Sequence, residues 1–224
     1  MDNSSFSGKP LKMRKPLLST LLHSHTPKLP QQIIKSMMTK IRCLLALLVC
    51  FVLGGCGDSE FEFSGHHAFF VFDNSLHLDP TLSSAMNAMS PGIFCRISIK
   101  SAGRVNFDNN QGQSSQVTLS ALEQQSHKML GVYNESGLIV GFATLSQPVT
   151  FCAFDAQCPN CYEETMMPRY MLTMDTTGKV SCKNCGRIYD MNNNGIISSG
   201  GNGKKLIRYR ATTNGPFGLI RIDN

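Results

Sequence analysis

Four cysteines in two pairs carry the clearest chemistry of this sequence. Cys158-Pro159-Asn160-Cys161 is followed, after twenty residues, by Cys182-Lys183-Asn184-Cys185-Gly186. A C-x2-C turn offers two thiolates to one metal ion, and two such knuckles facing each other at hairpin tips complete a tetrahedral all-sulfur shell. The gap matches the zinc pattern of paired C-x2-C knuckles, and two knuckles at this interval rarely arise by chance. Gly186 would let the chain turn closely beneath the ion. Cys158, Cys161, Cys182 and Cys185 are therefore the candidate metal ligands. A four-thiolate set accepts structural zinc, an all-cysteine [2Fe–2S] cluster or a single rubredoxin-like iron. In an exported chain the same thiols could instead form disulfides or hold nothing.

A fifth cysteine carries a different signal. Met37 to Cys56 reads MMTKIRCLLALLVCFVLGGC. Lys40 and Arg42 form a basic n-region, and Cys43 to Leu53 an apolar h-region of eleven residues. That length suits a signal-peptide core and falls short of the roughly 20 residues needed to span a bilayer. Leu53-Gly54-Gly55-Cys56 resembles a lipobox, which implies cleavage before Cys56 and lipid on its thiol. The expected organisation is a non-native or disordered leader over 1–36, a signal peptide over 37–55, a tether over 56–65 and a single β domain over 66–224. The resemblance places the mature chain in the cell envelope, anchored to the outer or inner membrane through Cys56, with a periplasmic or cell-surface domain.

Charge agrees with a removable leader. Residues 1–55 hold eight Lys/Arg against one Asp, a balance of +7, while residues 56–224 hold thirteen against fourteen Asp/Glu, a balance of −1. The overall +6 therefore belongs to the leader, and no nucleic-acid partner is expected.

The elements that must position the cysteines read as short strands. HHAFFVFD (66–73) is an apolar run of strand type. Asp79 before Pro80 opens a helix over 80–88. IFCRISIK (93–100) alternates as a half-buried strand does, and the polar stretch 101–117 reads as a loop with ragged strand. Ser120 and Glu123 suggest a capping box for a helix within 119–127. From Met129 onward, LGVY, LIVGFAT, VTFCAFD, RYMLTM, KVSC, RIYDM, GIISS, KLIRYRAT and FGLIRID are strand-like, separated by Gly/Asn turns. The fold class expected is all-β: an antiparallel sandwich with a small zinc-ribbon or rubredoxin-like metal subdomain and one or two short helices.

Other residues carry weaker signals. Cys95 and Cys152 lie on predicted strands, as buried thiols or as a disulfide. His66, His67, His77 and Asp79 could suggest a second metal site, but a strand end and a turn also explain them. Met86, Met89, Met166, Met167, Met171 and Met174 read as core filler. Lys204, Lys205, Arg208 and Arg210 read as a solvated strand edge. No nucleophilic triad, phosphate loop or paired carboxylate motif stands out, so no catalytic residue is assigned.

FDAQCPNC and CKNCGRIYDMNNNGIISSGGNGKKLIRYRATTNGPFGLIRID resemble the two cluster loops and following strands of Rieske iron–sulfur proteins. Cys185-Gly186, Tyr189-Asp190, Leu206, Tyr209 and Gly218 to Ile222 fall in the places of that pattern. The likeness covers 129–224, and the ending is also similar to that of a group of Bacteroidetes lipoproteins. It implies a Rieske-like sandwich and, for an iron-loaded site, an electron carrier with a redox partner. Both histidine positions are cysteine here, Cys161 and Cys185, and no histidine follows His127. A true Rieske centre needs two histidines on one iron. Zinc in a binding or assembly module, with an unidentified protein partner, is the leading expectation; the alternative is electron transfer through [2Fe–2S] or mononuclear iron.

Overall fold

The computed structural model describes residues 30–53 and 62–224. The chain divides into two units, Met1–Ser59 and Glu60–Asn224. In the first, a helix α1 (Gln31–Leu53) covers the expected n- and h-regions. It begins six residues before Met37, so residues 31–36 are helical where no ordered structure was expected. Among the described residues no helix is long and apolar enough to cross a membrane. Gly54, Gly55 and Cys56 lie outside the described residues, as do residues 1–29 of the leader and the first part of the tether.

The second unit is mostly β. In chain order its elements are β1 (Phe69–Asp73), α2 (Pro80–Ala85), β2 (Phe94–Ser101), β3 (Arg104–Asn109), β4 (Ser114–Thr118), α3 (Ala121–Gln125), β5 (Leu138–Ala143) and β6 (Thr150–Asp155). Then come α4 (Pro159–Thr165), β7 (Thr173–Met174), β8 (Lys179–Ser181), β9 (Ile188–Asp190), a 3-10 turn (Met191–Asn193), β10 (Ile196–Ser199), β11 (Arg208–Thr213) and β12 (Leu219–Asp223).

Eight strands form one antiparallel sheet in the order β1-β12-β11-β6-β5-β2-β3-β4. The sheet curls on itself: Phe72 of β1 and Phe107 of β3, far apart in that order, have ring centroids 5.4 Å apart. The enclosed core includes Phe70, Phe72, Ile97, Phe107, Val140, Tyr209 and Ile220. Helix α2 adds Leu82 and Ala85 to it. Its N-cap is Asp79, whose carboxylate accepts from Leu82 N at 2.9 Å, with Pro80 at the first helical position. The Ser120/Glu123 capping box is also formed.

A second sheet, β10-β9-β8-β7, joins another core. Phe94, Ile139, Cys152 and Phe154 of the large sheet pack there with Leu172, Val180, Tyr189, Met191 and Leu206. Strands β5 and β6 thus contribute to both cores, which explains their unbroken apolar sequence.

Several expectations need correction. Residues 101–117 form two regular strands, β3 and β4, because Val105 and Phe107 supply an inward face within polar text. LGVY is a turn whose Leu130 plugs the core, with only Met129 bridging to Phe69. The helix from Pro80 stops at Ala85. Cys95 and Cys152 are free thiols in different cores, with β5 between their strands, so the disulfide gives way to two buried thiols. Of the six methionines only Met86 fills the core fully; Met174 is half-buried, and Met89, Met166, Met167 and Met171 are exposed. Arg208 is buried, because β11 lies between β12 and β6 and is no edge.

Candidate metal centre

Strand β6 delivers the chain to the first knuckle through a buried carboxylate. Asp155 accepts from Gln157 N and Val132 N at 2.8 Å each and from the Tyr209 hydroxyl at 2.9 Å. Its burial works against the charge, the three donors work for it, and the balance holds the carboxyl at about 6. Gln157 fixes the far side of the loop: its Oε1 accepts from Tyr170 N at 2.9 Å and its Nε2 donates to Ser136 and to the Pro168 carbonyl.

The first knuckle is not a hairpin tip, as expected, but the start of a helix. Cys158 is the N-cap of α4 and Pro159 follows at the first helical position, where its fixed φ suits the helix. Cys161 lies within the first turn. The second knuckle does join two strands, β8 and β9. It closes through Cys182 N to the Arg187 carbonyl at 3.0 Å and Gly186 N to the Cys182 carbonyl at 2.9 Å. Gly186 takes φ +70°, the left-handed conformation anticipated for this turn.

The two knuckles meet. All four Sγ atoms lie within 4.8 Å of one another. Cys158 and Cys185 are 3.7 Å apart, and so are Cys161 and Cys182, each contact crossing between knuckles. Cys158, Cys161 and Cys182 are buried, while Cys185 is half-buried. A tetrahedron with metal–sulfur bonds of about 2.3 Å has an edge of about 3.8 Å. The donor set and its spacing therefore fit a metal ion.

Neighbouring side chains are arranged around the sulfurs. The Tyr189 oxygen accepts from Asn160 Nδ2 at 2.9 Å and lies 3.2 Å from Cys158 Sγ, so its own proton is free for the sulfur. Asn160 is clamped by Lys204, donating to its carbonyl and accepting from its N–H, both at 2.9 Å. Asn184 Nδ2 donates to Cys161 Sγ at 3.3 Å. Burial pushes the free Cys158 and Cys161 thiols up. Burial acts the same way on Cys185, but hydrogen bonds from the Arg187 backbone and guanidinium outweigh it and bring that thiol down to about 7.

Spacing alone singles out the four cysteines; Tyr189 stands out only through the Rieske-like pattern, with no role at a sulfur. One signal was available: both knuckles read Cys-x-Asn-Cys. Asp155 and Arg187 had none, since their partners come from distant strands and from the folded loop.

The other candidates stay apart. His77 pairs with Glu123 at 2.8 Å, Asp79 caps α2, and His66 packs edge-on against Tyr162. Among the described residues the four cysteines are the sole metal-like group. Comparison of the chain with protein-family models, with curated proteins and with solved structures finds no match.

Proposed function

We propose that this chain is a cell-envelope lipoprotein, held to the membrane by lipid on Cys56, whose β domain carries a structural zinc and serves as a binding or assembly module. The observation that carries the metal reading is the tightness of the cluster, with every Sγ pair within 4.8 Å. One tetrahedral ion asks for about 3.8 Å. A [2Fe–2S] cluster sets its thiolates in two pairs on separate irons, so distances between the pairs are longer than those within a pair. Zinc suits a closed, largely buried four-thiolate shell, which leaves no position open for water or substrate. The ion would then lock α4 to the β8–β9 hairpin.

A second reading, an electron carrier with a rubredoxin-like iron or a [2Fe–2S] centre in a Rieske-like domain, draws support from the half-buried Cys185. That sulfur gives a redox partner an accessible edge of the site. Metal analysis with a visible spectrum of anaerobically purified protein separates the two. Zinc predicts about one equivalent and no colour; a red-brown protein with sulfide-labile absorbance overturns it in favour of iron–sulfur. Anchoring is tested independently by Cys56→Ser, which should abolish detergent-phase partitioning. Partitioning unaffected by that change would refute lipidation.

A further inference from the structure

Arg208 is a buried cation with an unusual set of partners. Its side chain is only 9% exposed. One terminal nitrogen donates to Glu62 Oε1 at 2.9 Å and to Asn194 Oδ1. The other reaches Cys152 Sγ, a weak acceptor, at 3.5 Å. Its Nε is buried and has no hydrogen-bond partner among the described residues. A buried guanidinium is costly unless its charge and its fork of donors are matched. Among the described residues the one carboxylate that reaches it belongs to Glu62, 60% exposed and carried on the segment leading into the domain. A carboxylate that open to solvent is a screened and weak counter-ion.

A cavity of about 280 Å³ opens beside this group. Its walls include Ser146, Thr150, Asn192, Asn193 and Asn194 beside Ala143 and Leu145, and Glu62 is the only acidic residue among its described lining. Asn194 stands at φ +55° at the end of the 3-10 turn and directs its amide oxygen at Arg208. A second cavity, which also touches Arg208 and Glu62, is lined by His66, Lys204, Lys205 and Glu163, with Glu163 bound to Lys204 at 2.8 Å. The described surroundings of Arg208 mix apolar side chains with hydrogen-bonding ones. Planar, two-pronged recognition of a carboxylate or phosphate is what a guanidinium provides.

We propose that Arg208 forms the base of a binding site for a small oxyanion, and that Glu62 occupies the ligand's place in this structure. Nothing in this depends on the metal or on lipidation. Segment 62–64 is held to β11 by the Glu62 pair, by Ser64 N donating to the Arg208 carbonyl at 2.8 Å, and by Phe63, whose ring lies 5.4 Å from the Arg208 guanidinium and 5.2 Å from that of Arg210. An incoming oxyanion competes with the first of these contacts and loosens the segment from the strand.

The test is a titration of the full chain with inorganic phosphate and, separately, with acetate, followed by calorimetry and by the Arg208 Nε–H resonance. Glu62→Gln removes the internal carboxylate while keeping its shape, and should strengthen binding of at least one probe about tenfold over the parent, with metal content unchanged. Tighter phosphate binding identifies a phosphate ligand and tighter acetate binding a carboxylate. Arg208→Met, if it folds with the parent's circular dichroism, should abolish both. If Glu62→Gln binds neither probe better than the parent, or if the Arg208 Nε–H signal does not move at saturation, the site does not exist.

Discussion

Removing the hydroxyl of Tyr189 tests the hydrogen-bond chain from Asn160 to Cys158. The ring is fully buried, so Tyr189→Phe keeps the packing and deletes one oxygen. Cys158 Sγ loses a donor and Asn160 Nδ2 keeps only the Lys204 carbonyl. Partners that orient metal ligands are worth roughly 10–100-fold in affinity. Chelator competition should therefore show about tenfold weaker metal binding with an unchanged far-ultraviolet spectrum; equal affinity would reduce Tyr189 to a packing residue. Asp155 makes a second prediction. Its folded value of about 6 lies above the ordinary 3.8. The unfolded chain therefore releases this proton first as pH rises. The carboxyl's contribution is full below about 4, declines between about 4 and 6, and stays lost above that, a change on the order of 3 kcal/mol. The Asp155 carboxyl carbon resonance should titrate near pH 6, and Asp155→Asn should flatten that part of the stability profile; a midpoint near 4 would contradict the balance of burial over hydrogen bonding. The cysteines were legible because their spacing is local. Asp155 was not, because its donors Val132 and Tyr209 lie 23 and 54 residues away.

At the scale of elements, glycines separate close approach from backbone strain. Gly137, at the turn into β5, has φ +81°, and a Cβ there would lie 1.8 Å from the Ile97 carbonyl oxygen of β2. Gly112, at the β3–β4 turn, has the same φ, with nothing within 4 Å of a Cβ. Gly112→Ala should cost only the left-handed strain, about 1 kcal/mol. Gly137→Ala must also push two paired strands apart and should cost more than about 3 kcal/mol. In thermal melts that is a fall of more than about 6 °C, against about 3 °C for Gly112→Ala. Equal shifts would mean that the β2–β5 pairing yields at no cost. The Gly137 turn could be read in the sequence, as could β5 and β6, because strands buried on both faces write long apolar runs. The β3–β4 hairpin could not. Strand β4 has no fully buried residue, and β3 buries just Val105, Phe107 and Asn109, so its alternation is thin among Asn and Gln. Helix α4 is illegible for another reason: seven residues are too few for a helical period to show.

At the scale of the molecule, two cores share β5 and β6, and only one contains the cysteines. The first is built on Phe70, Phe72, Ile97, Phe107 and Val140 and closed by α2, and no cysteine of the cluster belongs to it. The second packs Phe154, Val180, Tyr189 and Met191 around the cluster's three buried thiols, with Cys152 beside them. Its smaller sheet includes a two-residue strand and two three-residue strands, which hold few ladder bonds of their own. Metal binding free energy is folding free energy for such a piece. Stripping the metal with a chelator, or replacing Cys182 with Ser, should therefore act unevenly. Amide exchange should rise across 156–168 and 180–190, where α4 and the β8–β9 hairpin are tied together by the thiolates. Amides of β2, β3, β5 and β6 should keep their protection, since their ladders and the first core contain no ligand. The shared strands make the outcome informative: Phe154 and Ile139 face the second core while Ala153 and Val140 face the first. If the whole domain loses protection together, the two cores form one cooperative unit and the metal stabilises all of it. If neither region changes, the four thiols hold no structural ion, and the zinc reading falls with them.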